Sequence, residues 1–265
     1  MKIGVIGVGV VGSAVQHGLE RIGHTVRPHD TKLDTDLADL SDTEVCFLCV
    51  PTPPDSAGRC DTSIIESVLV DLSRLGYRGV IAIKSTVIPG TTDSLATQYP
   101  ALRLAFCPEF LRERAAFVDF FENHDLCAIG AYADADFELI RDAHGSIPKR
   151  VSRLTPLEAE LVKYFSNVFN AMRITFANEF YDVCEALGAN YTNVKNAAVQ
   201  RENIPDYYLD CNENFRGFAG VCLPKDTSAF AALVKELGLS NANLFATIVQ
   251  DNENFIKTVP DGMRR

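Results

Sequence analysis

The sequence has no apolar run of the ~18 residues that a membrane helix needs, so it offers no membrane-spanning segment. Internal repeats and low-complexity stretches are also absent. Basic residues are in the minority, and the net charge is −10. Nucleic-acid phosphates require a basic face, so a nucleic-acid partner is excluded. A small anionic ligand, which a few local groups can hold, is not. A disulfide framework is lacking as well. The eight cysteines, Cys46, Cys49, Cys60, Cys107, Cys127, Cys184, Cys211 and Cys222, are scattered through apolar segments of a long chain. That is the pattern of buried thiols in a reducing compartment. "CFLC" has CxxC spacing, but residues three apart on a strand point to opposite faces, so no metal ligand set is expected. The N-terminus "MKIGVIGVGVVGSAV" is apolar like a signal peptide. Its glycines sit at fixed spacing, however, and a polar segment with no small-residue cleavage site follows. It reads as the first strand and helix of a mature cytoplasmic protein.

What is present suits two modest domains in 265 residues. Residues 1–155 alternate apolar strands with amphipathic helices. The strands are "KIGVI", "TVRPH", "VCFLCV", "GVIAIK", "LRLAFC" and "LCAIGA". Continuous apolar runs joined by helices predict parallel strands buried on both faces, hence an α/β, doubly wound parallel sheet. Residues 156–265 read as an all-helical domain built on one long helix. Thr155 and Glu158 form a capping box and Pro156 suits the first helical position. Apolar residues then recur at helical period to Leu187. At ~45 Å, this helix is long enough to join two domains or two subunits, and a homodimer is expected on it. Shorter helices are expected at Thr192–Gln200, Asp226–Glu236 and Ala242–Thr258.

Gly7, Gly9 and Gly12 have G-x-G-x-x-G spacing between a strand and a helix. This permits a tight turn, a close approach of backbone to a pyrophosphate, and close helix–strand packing. Val10 and Val11 open the helix, whose N-terminus faces the phosphates. Asp30 ends the second strand about 20 residues on, where a carboxylate holds ribose hydroxyls. It would repel a 2′-phosphate, so the expected cofactor is NAD, not NADP.

Five further stretches, in order, are "CVPTP" (Cys49–Pro53), "KSTVIPGT" (Lys84–Thr91), "CPEFLRERAA" (Cys107–Ala116), "EAELVKYFSNVFNAMRITFANE" (Glu158–Glu179) and "GFAGVCLPKD" (Gly217–Asp226). Together they resemble the UDP-glucose/GDP-mannose dehydrogenase family across nearly the whole chain. The resemblance implies NAD-dependent oxidation of a sugar's primary alcohol to the carboxylate in two steps, with a nucleotide-linked sugar as substrate. Cys222 is then the nucleophile that traps the intermediate aldehyde. Lys163 and Asn167, four apart on the long helix, hold the substrate oxygen. Asp226 orients or activates water, with Thr86 and Glu109 beside that water. Val50, Pro51, Thr52, Ser85, Thr86 and Glu113 line the cofactor. Glu109, Phe110, Leu111, Arg112, Arg216 and Gly217 line the substrate.

The residues also allow blander roles. Cys222 could be a buried small side chain, Lys163 a solvated charge, Asp226 a helix cap, and Glu109 and Glu113 solvated glutamates. Arg216 could meet a phosphate or carboxylate, or be exposed. The family pattern is departed from in two places. Ala219 and Val221 replace small family residues before the cysteine. The chain also stops at "FIKTVPDGMRR", where the family usually continues into a third, nucleotide-gripping domain. Two other functions compete: a two-electron dehydrogenase of the 3-hydroxy-acid type, which needs no cysteine, and a non-catalytic NAD-binding subunit.

Overall fold

The computed structural model describes residues 1–55, 58–220 and 222–257. Val221 in the cysteine loop and Thr258 at the expected end of the last helix lie outside the described residues. Among the described residues the strands are β1 (Lys2–Ile6), β2 (Thr25–His29), β3 (Val45–Leu48), β4 (Val80–Ile83), β5 (Arg103–Phe106), β6 (Cys127–Ala131) and β7 (Val151–Leu154). They form one sheet in the order β2-β1-β3-β4-β5-β6-β7. The six expected strands are present, and β7 is an addition.

The expected doubly wound α/β sheet is present and is mostly parallel. β5 and β6 pair antiparallel, while the other pairs are parallel. A strand buried on both faces carries the same apolar run in either direction. Its direction is set by the connection, and the segment after β5 returns the chain from the same end of the sheet instead of crossing over.

The helices of this α/β part are α1 (Val10–Arg21), α2 (Ser63–Arg74), α3 (Thr91–Gln98), α4 (Ala116–Phe121) and α5 (Asp134–His144). Successive side chains alternate between two cores. Val45 and Phe47 join the core that holds Ala14, Val15 and Phe120, whereas Cys46 and Leu48 join that of Ile65 and Leu69. Cys49 packs with the first core and Cys46 with the second, so the CxxC pair is split as its strand spacing requires. Pro28 sits on β2, an edge strand, where a missing N–H costs nothing on the open side.

The long helix α6 is Pro156–Leu187, 32 residues. Its capping box is formed: Glu158 Oε2 accepts from the Thr155 N–H and hydroxyl, both at 2.8 Å, and the Glu158 N–H donates to Thr155 Oγ1 at 3.3 Å. The chain divides into two compact units inside this helix. The first is Met1–Asp55 with Cys60–Lys163, and the second is built from Tyr164 onward.

The second unit continues with α7 (Tyr191–Ala198), α8 (Cys222–Glu236) and α9 (Leu244–Lys257). α8 starts four residues before its expected start. Pro224 suggested a boundary there, but the first-turn N–H groups of a helix have no internal acceptor, so proline is tolerated in that turn. No helix among the described residues is long and apolar enough to cross a membrane.

Candidate active site

The glycine-rich turn follows β1 at the C-terminal edge of the sheet, between the ends of β2 and β3. There the strand order reverses, which is where doubly wound sheets hold ligands. Gly7 has φ +86°, which favours glycine. A Cβ on Gly12 would lie 1.9 Å from the Gly7 carbonyl oxygen, so only glycine lets α1 start this close. A Cβ on Gly9 would meet nothing within 4 Å, leaving the approach to the backbone open. α1 has neither a side-chain cap nor an acidic residue in its first turn, so its N-terminal N–H groups can take an anion.

Asp30 holds this turn directly. Its Oδ2 accepts from the Val8 N–H at 2.7 Å and its Oδ1 from the Lys32 N–H at 2.9 Å. These backbone bonds, the Lys32 one foremost, lower its carboxyl below the usual range. A cleft of about 860 Å³ adjoins it, lined in part by His29, Thr31, Asp34, Asp36, Asp39 and Asp71. A second pocket of about 600 Å³ brings Gly9, Val10 and Ser13 together with Glu113 and residues 114–118. These residues fit a dinucleotide: a glycine turn, a helix end for the pyrophosphate and a carboxylate for the ribose.

The loops after β3 and β4 are tied to each other. Ser85 Oγ donates to the Val50 carbonyl at 2.6 Å, and Thr52 Oγ1 donates to the Thr86 carbonyl at 2.7 Å. Pro51 beside them is exposed and Val11 is half-buried.

Lys163 is not a solvated charge. It is 4% exposed, and its Nζ donates to the Glu109 carbonyl at 2.7 Å and to Glu109 Oε1 at 3.0 Å. Glu109 Oε2 accepts from the Leu111 N–H at 2.6 Å, so this glutamate is likewise fixed. The Lys163 ammonium also lies 5.6 Å from the centre of the Phe110 ring. Arg112 is engaged elsewhere, since its guanidinium grips Asp119 with bonds of 2.9 and 2.7 Å. The Arg112 hydrogen bond holds the Asp119 carboxyl down at about 2.

In the second unit Cys222 is exposed and is the first residue of α8. The positive end of a helix favours a thiolate over a thiol. Asp226 stands one turn further on and is 1% exposed. It is therefore not a helix cap, because α8 begins before it. Asn167 Nδ2 donates to Asp226 Oδ2 at 2.6 Å, and the Lys225 ammonium lies 2.9 Å from Oδ1.

Arg216 is buried, which removes the exposed alternative. It meets a carboxylate of its own unit, with NH2 to the two oxygens of Asp182 at 2.7 and 2.8 Å and Nε to Asn178 Oδ1 at 2.8 Å. Gly217 has φ +62°, and a Cβ there would lie 2.8 Å from Asn252 Oδ1.

Three residues that hold these parts were not singled out in the sequence. Asn178 Oδ1 accepts from Arg216 and from the Gly217 N–H at 3.0 Å. Asn252 pairs with both backbone groups of Phe218, at 2.6 and 2.9 Å. The two amides clamp the loop that leads to Cys222, and their only signal was a buried-face position on an apolar helix. Lys84, at the head of "KSTV", is buried and donates to the Cys107 carbonyl at 3.0 Å.

The family model for the UDP-glucose/GDP-mannose dehydrogenase NAD binding domain matches residues 27–147, and that for the central domain of the same family matches residues 157–254. The chain belongs to the UDP-glucose/GDP-mannose dehydrogenase family. It is of the NAD-dependent dehydrogenase class, with NAD as cofactor. It is 26% identical to UDP-glucose 6-dehydrogenase AglM of Haloferax volcanii, over 94% of this chain and 69% of that one. The solved UDP-glucose dehydrogenase of Pyrobaculum islandicum superimposes with a TM-score of 0.87 at 29% identity, over 96% of this chain and 68% of that one. The 3-hydroxyisobutyrate dehydrogenase of Mycobacterium tuberculosis shares the fold, with a TM-score of 0.76 at 14% identity over 97% of this chain and 94% of that one. The chain thus spans about two thirds of the length of its two family relatives.

Proposed function

We propose that the chain oxidises the primary alcohol of a nucleotide-linked sugar to a carboxylate, in two successive two-electron steps with a covalent intermediate on Cys222. The observation that carries this reading is an exposed cysteine opening a helix, followed one turn later by a buried aspartate that a helix amide holds in place. A two-electron dehydrogenase of the same fold needs neither.

Gly7, Gly9, Gly12, the start of α1 and Asp30 would hold NAD, which when bound accepts the hydride of each oxidation. The Lys163 ammonium, desolvated and fixed on Glu109, stabilises the alkoxide of the first step. The Cys222 thiolate then adds to the aldehyde carbon and forms a C–S bond, giving a thiohemiacetal whose oxyanion again needs a cation. Loss of the second hydride leaves a thioester. Water attacks its carbonyl, the C–S bond breaks, and the acid departs as the thiolate is restored. Asp226 takes the proton of that water, with Thr86 and Glu109 ordering it.

We assign Phe110, Leu111, Arg112 and Gly217 to the walls around the sugar and its phosphates. Arg216 positions the cysteine loop through Asp182. The working unit is a homodimer: α6 exposes Phe165 (76%), Phe176 (57%) and Leu187 (79%), more large apolar surface than a lone helix face carries in water.

The test is acid formation from a panel of UDP- and GDP-linked sugars by the unchanged chain and by Cys222→Ser. A serine alkoxide is hard to form and its ester is less labile than a thioester. Acid formation should therefore fall by orders of magnitude while the first hydride transfer persists. Undiminished acid formation by the serine variant contradicts the reading.

A further inference from the structure

Beneath the loops that carry Thr86 and Glu109, the first unit holds a buried cluster of soft ligands. Cys107 follows β5, Cys127 begins β6 and His144 ends α5. All three are fully buried, at 0–1% exposure. One ligand atom from each lies within 4.8 Å of the others, and the two sulfurs are 3.8 Å apart. His144 Nδ1 donates to the Ile140 carbonyl at 2.8 Å, so Nδ1 carries a proton. The other nitrogen, Nε2, has no hydrogen-bond partner and is buried among neighbours that include Phe47 and Phe120. A buried acceptor without a partner is costly, and a ligand would satisfy it.

We infer that Cys107, Cys127 and His144 form a binding site for one monovalent soft metal cation, of the copper(I) class, inside the NAD-binding unit. Three features select the ion. Two thiolates and an imidazole are soft ligands, which select copper(I) or zinc over hard cations. Three ligands suit copper(I), whereas structural zinc takes four. Finally, the Lys84 ammonium lies 3.5 Å from Cys107 Sγ. A monovalent ion, two thiolates and this ammonium sum to zero charge. A divalent ion would leave a net positive charge in a water-free core, which is costly.

Distances agree: two metal–sulfur bonds of about 2.3 Å span the observed sulfur separation at an ordinary coordination angle. A disulfide fits less well. Ala105 faces Ala131 and Phe106 faces Gly130, so Cys127 lies diagonally across from Cys107. Diagonal pairs stand about 7–8 Å apart at Cα, beyond the reach of a disulfide. Each cysteine binds as a thiolate, its thiol proton leaving as the ion enters, and no electron is transferred.

The test is anaerobic titration with copper(I) against a competing chelator, on the full chain carrying Cys222→Ser to silence the exposed thiol. One copper(I) per chain is expected, with no displacement by equimolar zinc. It should be lost in Cys107→Ser and in Cys127→Ser and kept in Cys184→Ser. Copper X-ray absorption should show two sulfurs and one nitrogen, and His144→Phe should remove the nitrogen. Should the serine variants fail to fold, that spectrum on the otherwise unchanged chain decides. Copper binding unaffected by Cys107→Ser, displacement by zinc, a sulfur-only shell or no bound copper would each overturn the assignment.

Discussion

The side-chain amide of Asn167 donates to the buried carboxylate of Asp226 across 2.6 Å, linking α6 to the helix that Cys222 opens. Asp226 is almost wholly removed from water, so this bond replaces hydration that the carboxylate has lost. Asn167→Ala should lower unfolding stability by about 1–3 kcal/mol. Asn167→Asp should lower it further, because it sets two carboxyl groups side by side. Denaturant unfolding of the three proteins checks the order, and equal stability of all three would contradict it.

Lys163 is fixed on Glu109 by two hydrogen bonds. Lys163→Ala should slow both oxidations, since each passes through an oxygen anion, and turnover should fall by ~10²–10³. Single-turnover traces of the two hydride transfers make the comparison. An unchanged first step would remove Lys163 from the alkoxide.

Asp30 is anchored by backbone N–H groups and borders an acidic cleft. NAD should therefore bind much more tightly than NADP, and Asp30→Ala should narrow the gap by weakening NAD. Titration of both cofactors by fluorescence decides. Equal affinity in the unchanged chain would contradict the assignment.

The Arg112–Asp119 pair gives a pH signature. The folded-state pKa of Asp119, about 2, is below the ordinary value of about 3.9 for aspartate. Its contribution to stability is complete above the ordinary value and is lost as pH falls toward the folded one. Asp119→Asn should flatten the acid limb of the stability profile between those values. An acid limb of unchanged slope would show that the pair does not act this way.

The exposed aromatic residues of α6 lead to a prediction about assembly. Phe165→Glu combined with Phe176→Glu should give monomers at micromolar concentration, where the unchanged chain sediments as a dimer. A monomeric unchanged chain would contradict the homodimer.

The strands from "KIGVI" to "LCAIGA" were legible because a continuous apolar run has few other homes. β7, "VSRL", was not, because a half-polar edge strand lacks that signature. The direction of β6 was illegible for a different reason: burial on both faces erases the distinction between parallel and antiparallel neighbours. The glycine turn and Asp30 could be read from spacing alone, since their roles are local. Asn178, Asn252 and the Cys107–Cys127–His144 cluster could not. Each depends on contacts between elements far apart in the chain.

In the proposed reaction one active site carries out two oxidations through Cys222. The most direct measurement is the number of NADH formed per molecule of acid released by the unchanged chain, on whichever nucleotide sugar it turns over. Two NADH per acid, with no free aldehyde accumulating, is the predicted result. One NADH per product, with Cys222→Ser equally active, would contradict it and place the protein with the two-electron dehydrogenases that share its fold.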